Sequence, residues 1–222
     1  ELQIDSERIG QGCIQTVAEG SPGSNVLNLL AGLLVTPAMA QATLEPIETY
    51  LDDLNSPEPA VRRFARDGLA QWGVAAVEPM MELWRSDPSN YRNTLGVAVA
   101  LTEFLRNNKD QREAVSEKLK RVDLSLLTDA LDHSDRTMRI YATEFLYDLG
   151  DPEVTSIVLD KFPQMNQDGQ YNSAFVLQNV VPFIDASTKA ELKNDLEVYA
   201  SSNDIGPNTK EQMQKLLVDL NG

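Results

Sequence analysis

An internal repeat constrains the fold of this chain more than any other feature. Residues 54–73 (LNSPEPAVRRFARDGLAQWG) align without a gap on residues 131–150 (LDHSDRTMRIYATEFLYDLG). The two segments share their first leucine, an arginine, an alanine, a second leucine and the closing glycine. Their offset of 77 positions equals two units of about 38 residues, close to the length of known helical repeats. The chain is therefore expected to be a stack of similar units.

Apolar residues follow the period of an α-helix along most of the chain. In the first repeated segment Ala65, Leu69 and Trp72 lie four and three positions apart, which traces one face of a helix. No segment shows the sustained alternation of a half-buried strand. Gly and Pro residues separate the periodic stretches, and Thr188 with Glu191 predicts a capping box at the start of a late helix. The sequence predicts an all-α protein of about ten short helices.

The repeated segments share a recognisable pattern. A leucine and a polar turn are followed by V-R-x-x-A-x-x-x-L-x-x-x-G, which is conservatively varied in the second copy. This pattern resembles HEAT repeats, especially the short HEAT-like type first noted in phycobilin lyases. The resemblance implies a right-handed α-α superhelix, a HEAT-like alpha solenoid. It also implies that the repeat arginine and the turn acid stack neighbouring units, a role that falls here to Arg62, Arg139 and Asp135.

The resemblance is uneven along the chain. Residues 44–150 match the pattern well, apart from 91–106, where small residues crowd the place of the alanine. Beyond residue 150 the helices still pair, with 152–162 and 170–181 as first and second helix, and Tyr171 takes the position of the arginine. These departures affect the expected stacking geometry and leave the helical class unchanged.

Residues 1–40 allow two interpretations. An apolar run at 26–35, followed by Ala38-Met39-Ala40, is typical of an exported signal segment with its cleavage site. A signal also needs basic residues before the run, yet no Lys or Arg lies between Arg8 and Arg62. The other interpretation is a capping helix of the core. The repeat domain is expected over 41–222, and the protein is periplasmic or exported under the first interpretation and cytoplasmic under the second.

The chain is strongly acidic, with a net charge of -15 and an isoelectric point near 4.4. Such a surface repels phosphate backbones and anionic membranes, so nucleic acid is not expected as a partner. A basic or neutral protein is favoured instead. The apolar run at 26–35 is too short for a membrane span, which takes about 20 apolar residues. The single cysteine, Cys13, excludes an internal disulfide.

The sequence offers no catalytic or metal-binding constellation. His133 is the only histidine, and in a repeat turn it fits a solvated cap better than a catalytic base. No phosphate-binding, dinucleotide-binding or nucleophile-elbow motif occurs. A basic cluster at Arg62, Arg63 and Arg66 is interpreted as a solvated or paired helix face. We therefore expect no enzyme activity, no cofactor and no metal.

Two functions remain for such a chain. The first is a protein-binding scaffold or adaptor that holds a partner on the concave face of the second helices, within 91–106, 136–147 and 170–181. The candidate contact residues on these helices are Tyr91, Arg92, Arg136 and Tyr171. The second, implied by the family resemblance alone, is an accessory lyase or chaperone for a bilin or another cofactor. The oligomeric state is left open.

Overall fold

The computed structural model describes residues 44–221. The two interpretations of residues 1–40, and Cys13 with them, lie outside the described residues. Within 44–221 the chain is entirely helical and contains no strand, as the periodicity predicts. The eleven α-helices of this part are α1 (Ile47–Asp53), α2 (Pro59–Trp72), α3 (Val74–Ser86), α4 (Tyr91–Asn107), α5 (Arg112–Ser116), α6 (Arg121–Asp129), α7 (Arg136–Leu149), α8 (Glu153–Lys161), α9 (Gln167–Val180), α10 (Ala186–Ser201) and α11 (Pro207–Asn221).

Ten of these helices form five consecutive pairs. The second helices α2, α4, α7, α9 and α11 pack side by side in chain order, and we call them the B row. Each is preceded by a first helix that packs against it, and α1, α3, α6, α8 and α10 form the A row. Neighbouring helices contact each other more extensively in the B row than in the A row. The protein is an all-α solenoid.

The repeat motif defines the ends of its helices. α2 starts with Pro59 and α7 starts after Asp135, whose side chain accepts a hydrogen bond from the Met138 amide at 3.0 Å. Both helices end at the predicted closing glycines. Gly73 and Gly150 have φ angles of 63° and 58°, which residues with a side chain rarely adopt.

The core lies between the two rows and uses the same helix positions in each unit. Leu69, Leu146 and Leu177 are the eleventh residues of α2, α7 and α9, and all three are fully or almost fully buried. Removing such a side chain from water stabilises the fold by roughly 1.5–3 kcal/mol. The apolar face that the sequence predicts is thus the face on which neighbouring units stack.

The expected unit length of about 38 residues is an average of unequal steps. α2, α4, α7 and α9 begin at residues 59, 91, 136 and 167, so the steps are 32, 45 and 31 residues. The long step contains α5 and the 3₁₀ turn Lys109–Gln111, which are inserted between α4 and α6. The offset of 77 positions therefore joins one short unit to one extended unit.

Two details of the sequence interpretation are wrong. α10 begins after Asp185, which accepts a hydrogen bond from the Thr188 amide at 2.8 Å, so Thr188 lies inside the helix and is not its cap. The arginine position in α9 belongs to Gln170, the fourth residue of that helix, and Tyr171 follows it. Tyr171 consequently points outward from the B row, with 36% of its surface exposed.

Candidate binding surface

The four candidate contact residues lie near the amino ends of three consecutive B-row helices. Tyr91 and Arg92 open α4, Arg136 opens α7, and Tyr171 is the fifth residue of α9. All four side chains are exposed. The B row therefore places on three neighbouring helices residues that are up to 80 positions apart in the sequence.

Tyr91 connects α4 to the turn before α7. Its ring stacks on the His133 ring, with centroids 6.0 Å apart and planes 22° from parallel. Partial burial raises the pKa of Tyr91, and so does the Asp135 carboxylate to which the hydroxyl donates a hydrogen bond. The pKa of Asp135 is lowered, chiefly by the Met138 amide and then by the Tyr91 hydroxyl. The contact holds Tyr91 in place beside Arg136.

His133 stabilises the turn before α7. Its Nδ1 accepts a hydrogen bond from the Asp135 amide at 2.9 Å, and its carbonyl accepts one from the Arg139 guanidinium at 2.7 Å. No other histidine occurs in the sequence. These contacts give the ring a structural use in the turn.

Arg139 joins its own turn to the next repeat. Its Nη1 donates to the carbonyls of His133 and Ser134 at 2.7 and 3.1 Å, and its Nη2 lies 2.7 Å from an oxygen of Asp168 in α9. The guanidinium is mostly buried, while Asp168 is exposed. The positive charge of Arg139 is therefore matched across the α7–α9 contact.

Arg62 makes the same contacts with its own turn but lacks the acidic partner. Its Nη1 donates to the carbonyls of Ser56 and Pro57 at 2.6 and 2.8 Å. The residue of α4 that corresponds to Asp168 of α9, the second of the helix, is Arg92. Within residues 44–221 no carboxylate lies within 4.0 Å of Arg62 or Arg92. In the α2–α4 contact the residue at this position, Arg92, has the same charge as Arg62. In the α7–α9 contact Asp168 has the opposite charge to Arg139.

A cleft opens between α2 and α4 at this contact. It encloses about 180 Å³ and has both basic and apolar walls. Gly96 is the sixth residue of α4 and corresponds to Asn172, the sixth residue of α9. The Asn172 side chain donates a hydrogen bond to the Leu131 carbonyl. A side chain at Gly96 would come within 2.8 Å of Leu54. The full lining is Leu54, Arg62, Arg66, Tyr91, Arg92, Leu95 and Gly96.

Sequence reasoning noticed the arginines of α2 but not this cleft. Arg66 uses its Nε to donate to the Arg62 carbonyl at 3.2 Å, and Arg92 reaches back from α4 to the Asn55 carbonyl at 3.3 Å. Of the two interpretations of Arg62, Arg63 and Arg66, a solvated or a paired face, the paired one does not hold in the described residues, where none of the three has an acidic partner. The cleft depends on the register of α2 against α4, which the sequence does not show.

Several charged side chains of the solenoid form ion pairs between neighbouring units. Arg106 of α4 meets Glu144 of α7 at 2.6 Å, and Lys109 meets Asp148 at 2.9 Å. In the A row Arg85 of α3 pairs with the fully buried Asp123 of α6. These ion pairs connect successive repeats, whereas the α2–α4 contact has no such pair among the described residues.

The described residues hold neither a cluster suited to a metal ion nor a helix suited to span a membrane. Within residues 44–221 no three His, Cys, Asp or Glu side chains are placed to hold a metal ion. None of the helices in this part of the chain is long and apolar enough to cross a membrane.

The chain resembles engineered proteins in its fold. Two engineered proteins from the Northeast Structural Genomics Consortium match it with TM-scores of 0.53 and 0.52, at 14% and 16% sequence identity. The first match covers 79% of both chains. The second covers 79% of this chain and 48% of the other, so this chain spans about half the length of that protein.

A designed armadillo repeat protein matches with a TM-score of 0.50 and 15% identity, over 79% of this chain and 82% of its own. No protein-family model and no curated protein matches the sequence. At these identities the likeness shows the fold alone, which is a solenoid of helical repeats.

Proposed function

We propose that this chain is a non-catalytic protein-binding scaffold or adaptor that holds its partner against the B row. The observation that carries this proposal is a run of exposed apolar side chains across successive helices. Tyr91, Ile140 and Tyr171, from α4, α7 and α9, are 41%, 46% and 36% exposed. Exposed apolar surface of this kind marks interaction sites, and repeat proteins bind their partners along stacked second helices.

The polar neighbours of this run suit a protein partner. Arg92 and Arg136 are exposed next to Tyr91, and Arg and Tyr are the residues most enriched among the energetic centres of protein interfaces. Tyr91 is already held by His133 and Asp135. A side chain that is ordered before binding loses less conformational entropy when the complex forms.

The partner is proposed to be a basic or neutral protein and not a nucleic acid. The net charge of -15 attracts a basic surface over a long range and repels phosphate backbones. Raising salt from 0.1 M to 1 M shortens the Debye length from ~10 Å to ~3 Å. The association rate with the partner should therefore fall several-fold over this range, while dissociation changes less. A salt-independent association rate would show that the acidic surface serves solubility only.

We further infer that the repeats are of the HEAT type. Two helices per unit, in α1–α2 through α10–α11, agree with HEAT units, whereas armadillo units have three. The ion pair of Arg139 with Asp168 of the next repeat supports a repeat-stacking role for Arg139. For Arg62 the same role rests on its matching hydrogen bonds to its own turn. The role of Asp135 rests on its capping bond and its contact with Tyr91.

The alternative of an accessory lyase or chaperone for a bilin rests on the family resemblance alone. Incubation of the chain with a bilin and an apo-phycobiliprotein tests it, because a lyase would form a covalent adduct. The absence of an adduct would remove this alternative and leave the scaffold proposal intact.

Site-specific photo-crosslinking tests the proposed surface. A photoreactive phenylalanine analogue replaces Tyr171 on the B row in one variant and Val198 on the A row in another, since Val198 of α10 is 66% exposed. Both variants are exposed to extract from the native source, and adducts are identified by mass spectrometry. A specific partner should be captured from position 171 and not from position 198.

Alanine substitutions then show whether the crosslinked surface contributes to binding or is only close to the captured protein. Ile140→Ala and Tyr171→Ala should each weaken the captured complex, whereas Val198→Ala should leave it unchanged. Equal crosslinking from both rows, or loss of binding only with Val198→Ala, would contradict the proposed surface.

A further inference from the structure

The α2–α4 cleft gathers positive charge in an acidic protein. Arg62, Arg66 and Arg92 all line it, and within residues 44–221 none has a carboxylate within 4.0 Å. The whole chain has 34 acidic and 19 basic residues, so acids to pair with them are abundant. Three neighbouring guanidiniums without counter-charge repel one another, and an anion bound between them would relieve this repulsion.

The three arginines are fixed in place and still have donors free. Arg62 donates through Nη1 to the turn before α2, Arg66 through Nε to the Arg62 carbonyl, and Arg92 through Nη1 to the Asn55 carbonyl. A guanidinium carries five N–H groups. The remaining nitrogens, among them Nη1 and Nη2 of Arg66 and Nε and Nη2 of Arg92, have no acceptor among the described residues.

The later repeat shows what the same position looks like when a carboxylate is built in. There Asp168 occupies the site of Arg92 and pairs with Arg139, and Asn172 occupies the site of Gly96. The α2–α4 contact thus lacks both the acid and the side chain that complete the α7–α9 contact. A carboxylate from outside would supply the missing acid.

The lining and the size of the cleft restrict the kinds of ligand that can bind there. Leu54, Leu95 and the Tyr91 ring form an apolar wall beside the guanidiniums. The cleft volume of about 180 Å³ leaves space for a group of side-chain size and not for a large ligand. The site can therefore take an apolar side chain next to an anionic group.

We propose that the α2–α4 cleft binds a carboxylate presented beside an apolar side chain, within a segment of the partner protein. The carboxylate accepts hydrogen bonds from Arg66 and Arg92, whose planar donor pairs match its two oxygens. The apolar side chain lies against Leu54 and Leu95. This inference rests on the proposed scaffold function and specifies one anchor of the partner.

The later repeat favours a carboxylate over a phosphate, because the group opposite the arginine there is the Asp168 carboxylate. The net charge of -15 repels any anion at long range. Only the local field of the three arginines is attractive. A basic or neutral partner that carries one carboxylate at its contact satisfies both the long-range and the local field.

The test uses small probes that need no partner. The full-length protein is titrated with N-acetyl-leucine, with the neutral N-acetyl-leucinamide and with inorganic phosphate, and backbone amide shifts are followed by NMR. N-acetyl-leucine should give saturable shifts confined to α2, α4 and the turn between α1 and α2. N-acetyl-leucinamide should bind about tenfold more weakly or worse, since charge-assisted hydrogen bonds are then lost.

Two variants with the same change of charge provide the control. Arg92→Asp places an acid where Asp168 stands in α9 and should weaken N-acetyl-leucine binding by about tenfold or more. Arg63→Asp alters an exposed arginine of α2 that does not line the cleft, and it should leave binding within about twofold.

Three results would overturn this inference. N-acetyl-leucine could cause no saturable shifts, phosphate could bind more tightly than N-acetyl-leucine, or both aspartate variants could weaken binding equally. Each of these leaves the scaffold proposal standing, because crosslinking from position 171 tests that proposal separately.

Discussion

The α2–α4 and α7–α9 contacts use the same helix positions and treat charge in opposite ways. In both, an arginine at the fourth helix position donates to two carbonyls of the preceding turn. At the second position of the following helix the later contact has Asp168 and the earlier one has Arg92. One contact is complete within the chain, whereas the other is left open toward solvent. Equivalent repeats can therefore share the hydrogen bonds between the arginine and its turn, while only the later one pairs the arginine with a carboxylate.

The packing of the α2–α4 and α7–α9 contacts also differs at one matching helix position. Asn172 of α9 donates a hydrogen bond to the Leu131 carbonyl, while Gly96 at the matching position of α4 has the Leu54 side chain packed directly against it. Beneath them the core is alike, since Leu69 and Leu146 are both fully buried. The repeats therefore diverge at the surface and agree in the core, which is the pattern expected where function and stability rest on separate residues.

The largest expected effect tests the shared core. Leu69→Ala and Leu146→Ala should each lower the free energy of unfolding by about 2–5 kcal/mol, because each removes a fully buried side chain and leaves a cavity. Chemical denaturation measures both losses. A loss below about 1 kcal/mol for either variant would mean that the two units do not share one stacking face.

A smaller effect on the free energy of unfolding is expected when the α7–α9 contact is given the charge pattern of the α2–α4 contact. Asp168→Arg removes the ion pair with Arg139 and introduces a like charge, so the free energy of unfolding should fall by roughly 0.5–1 kcal/mol. The ion pair is partly exposed, which limits its contribution. Asp168→Asn is the matched variant and should cost less. An unchanged or higher stability in Asp168→Arg would show that this pair does not stabilise the stack.

The smallest effect concerns the caps of the two B-row helices. Asp135 caps α7, whereas the matching Glu58 of α2 makes no side-chain cap bond. The Met138 amide lowers the pKa of Asp135 from its ordinary 3.8, so its stabilising contribution is complete above that value. This contribution is lost as pH falls below 3.8 through the lowered pKa.

Thermal midpoints of wild type and Asp135→Asn, measured from pH 7 down to pH 2, test this. Wild type should have the higher midpoint at pH 7, and the difference should shrink below the ordinary pKa of 3.8. At pH 7 Glu58→Gln should change the midpoint less than Asp135→Asn does. A constant difference over the whole pH range would mean that the Asp135 charge contributes nothing to the cap.

The helical class and the ends of α2 and α7 could be predicted because their signals are local. Apolar residues at a period of 3.6, Pro59 at a helix start and a glycine after each helix act within a few residues of the chain. Thr188 shows how this fails. It fits a capping box, yet Asp185, three residues earlier, accepts the amide hydrogen bond and starts α10.

The cleft could not be predicted, because it depends on the register between helices far apart in sequence. Nothing near Arg92 reveals that it stands opposite Arg62 or that its counterpart in another unit is Asp168. An average unit of 38 residues hides this equivalence, since the insertion of α5 shifts the later helices. Helix assignments alone predict Tyr91, Arg92, Arg136 and Tyr171 as exposed residues, and all four are exposed on B-row helices.

The claim that the first contact lacks a counter-charge is tested most directly by the free energy of unfolding of Arg92→Asp. The new carboxylate stands near Arg62 and Arg66 as Asp168 stands near Arg139. At low salt this variant should therefore be more stable than wild type by about 0.5–1 kcal/mol, and the gain should shrink near 1 M salt. Arg63→Asp, with the same change of charge, should give no such gain. A less stable Arg92→Asp, or an equal gain in both variants, would contradict the account.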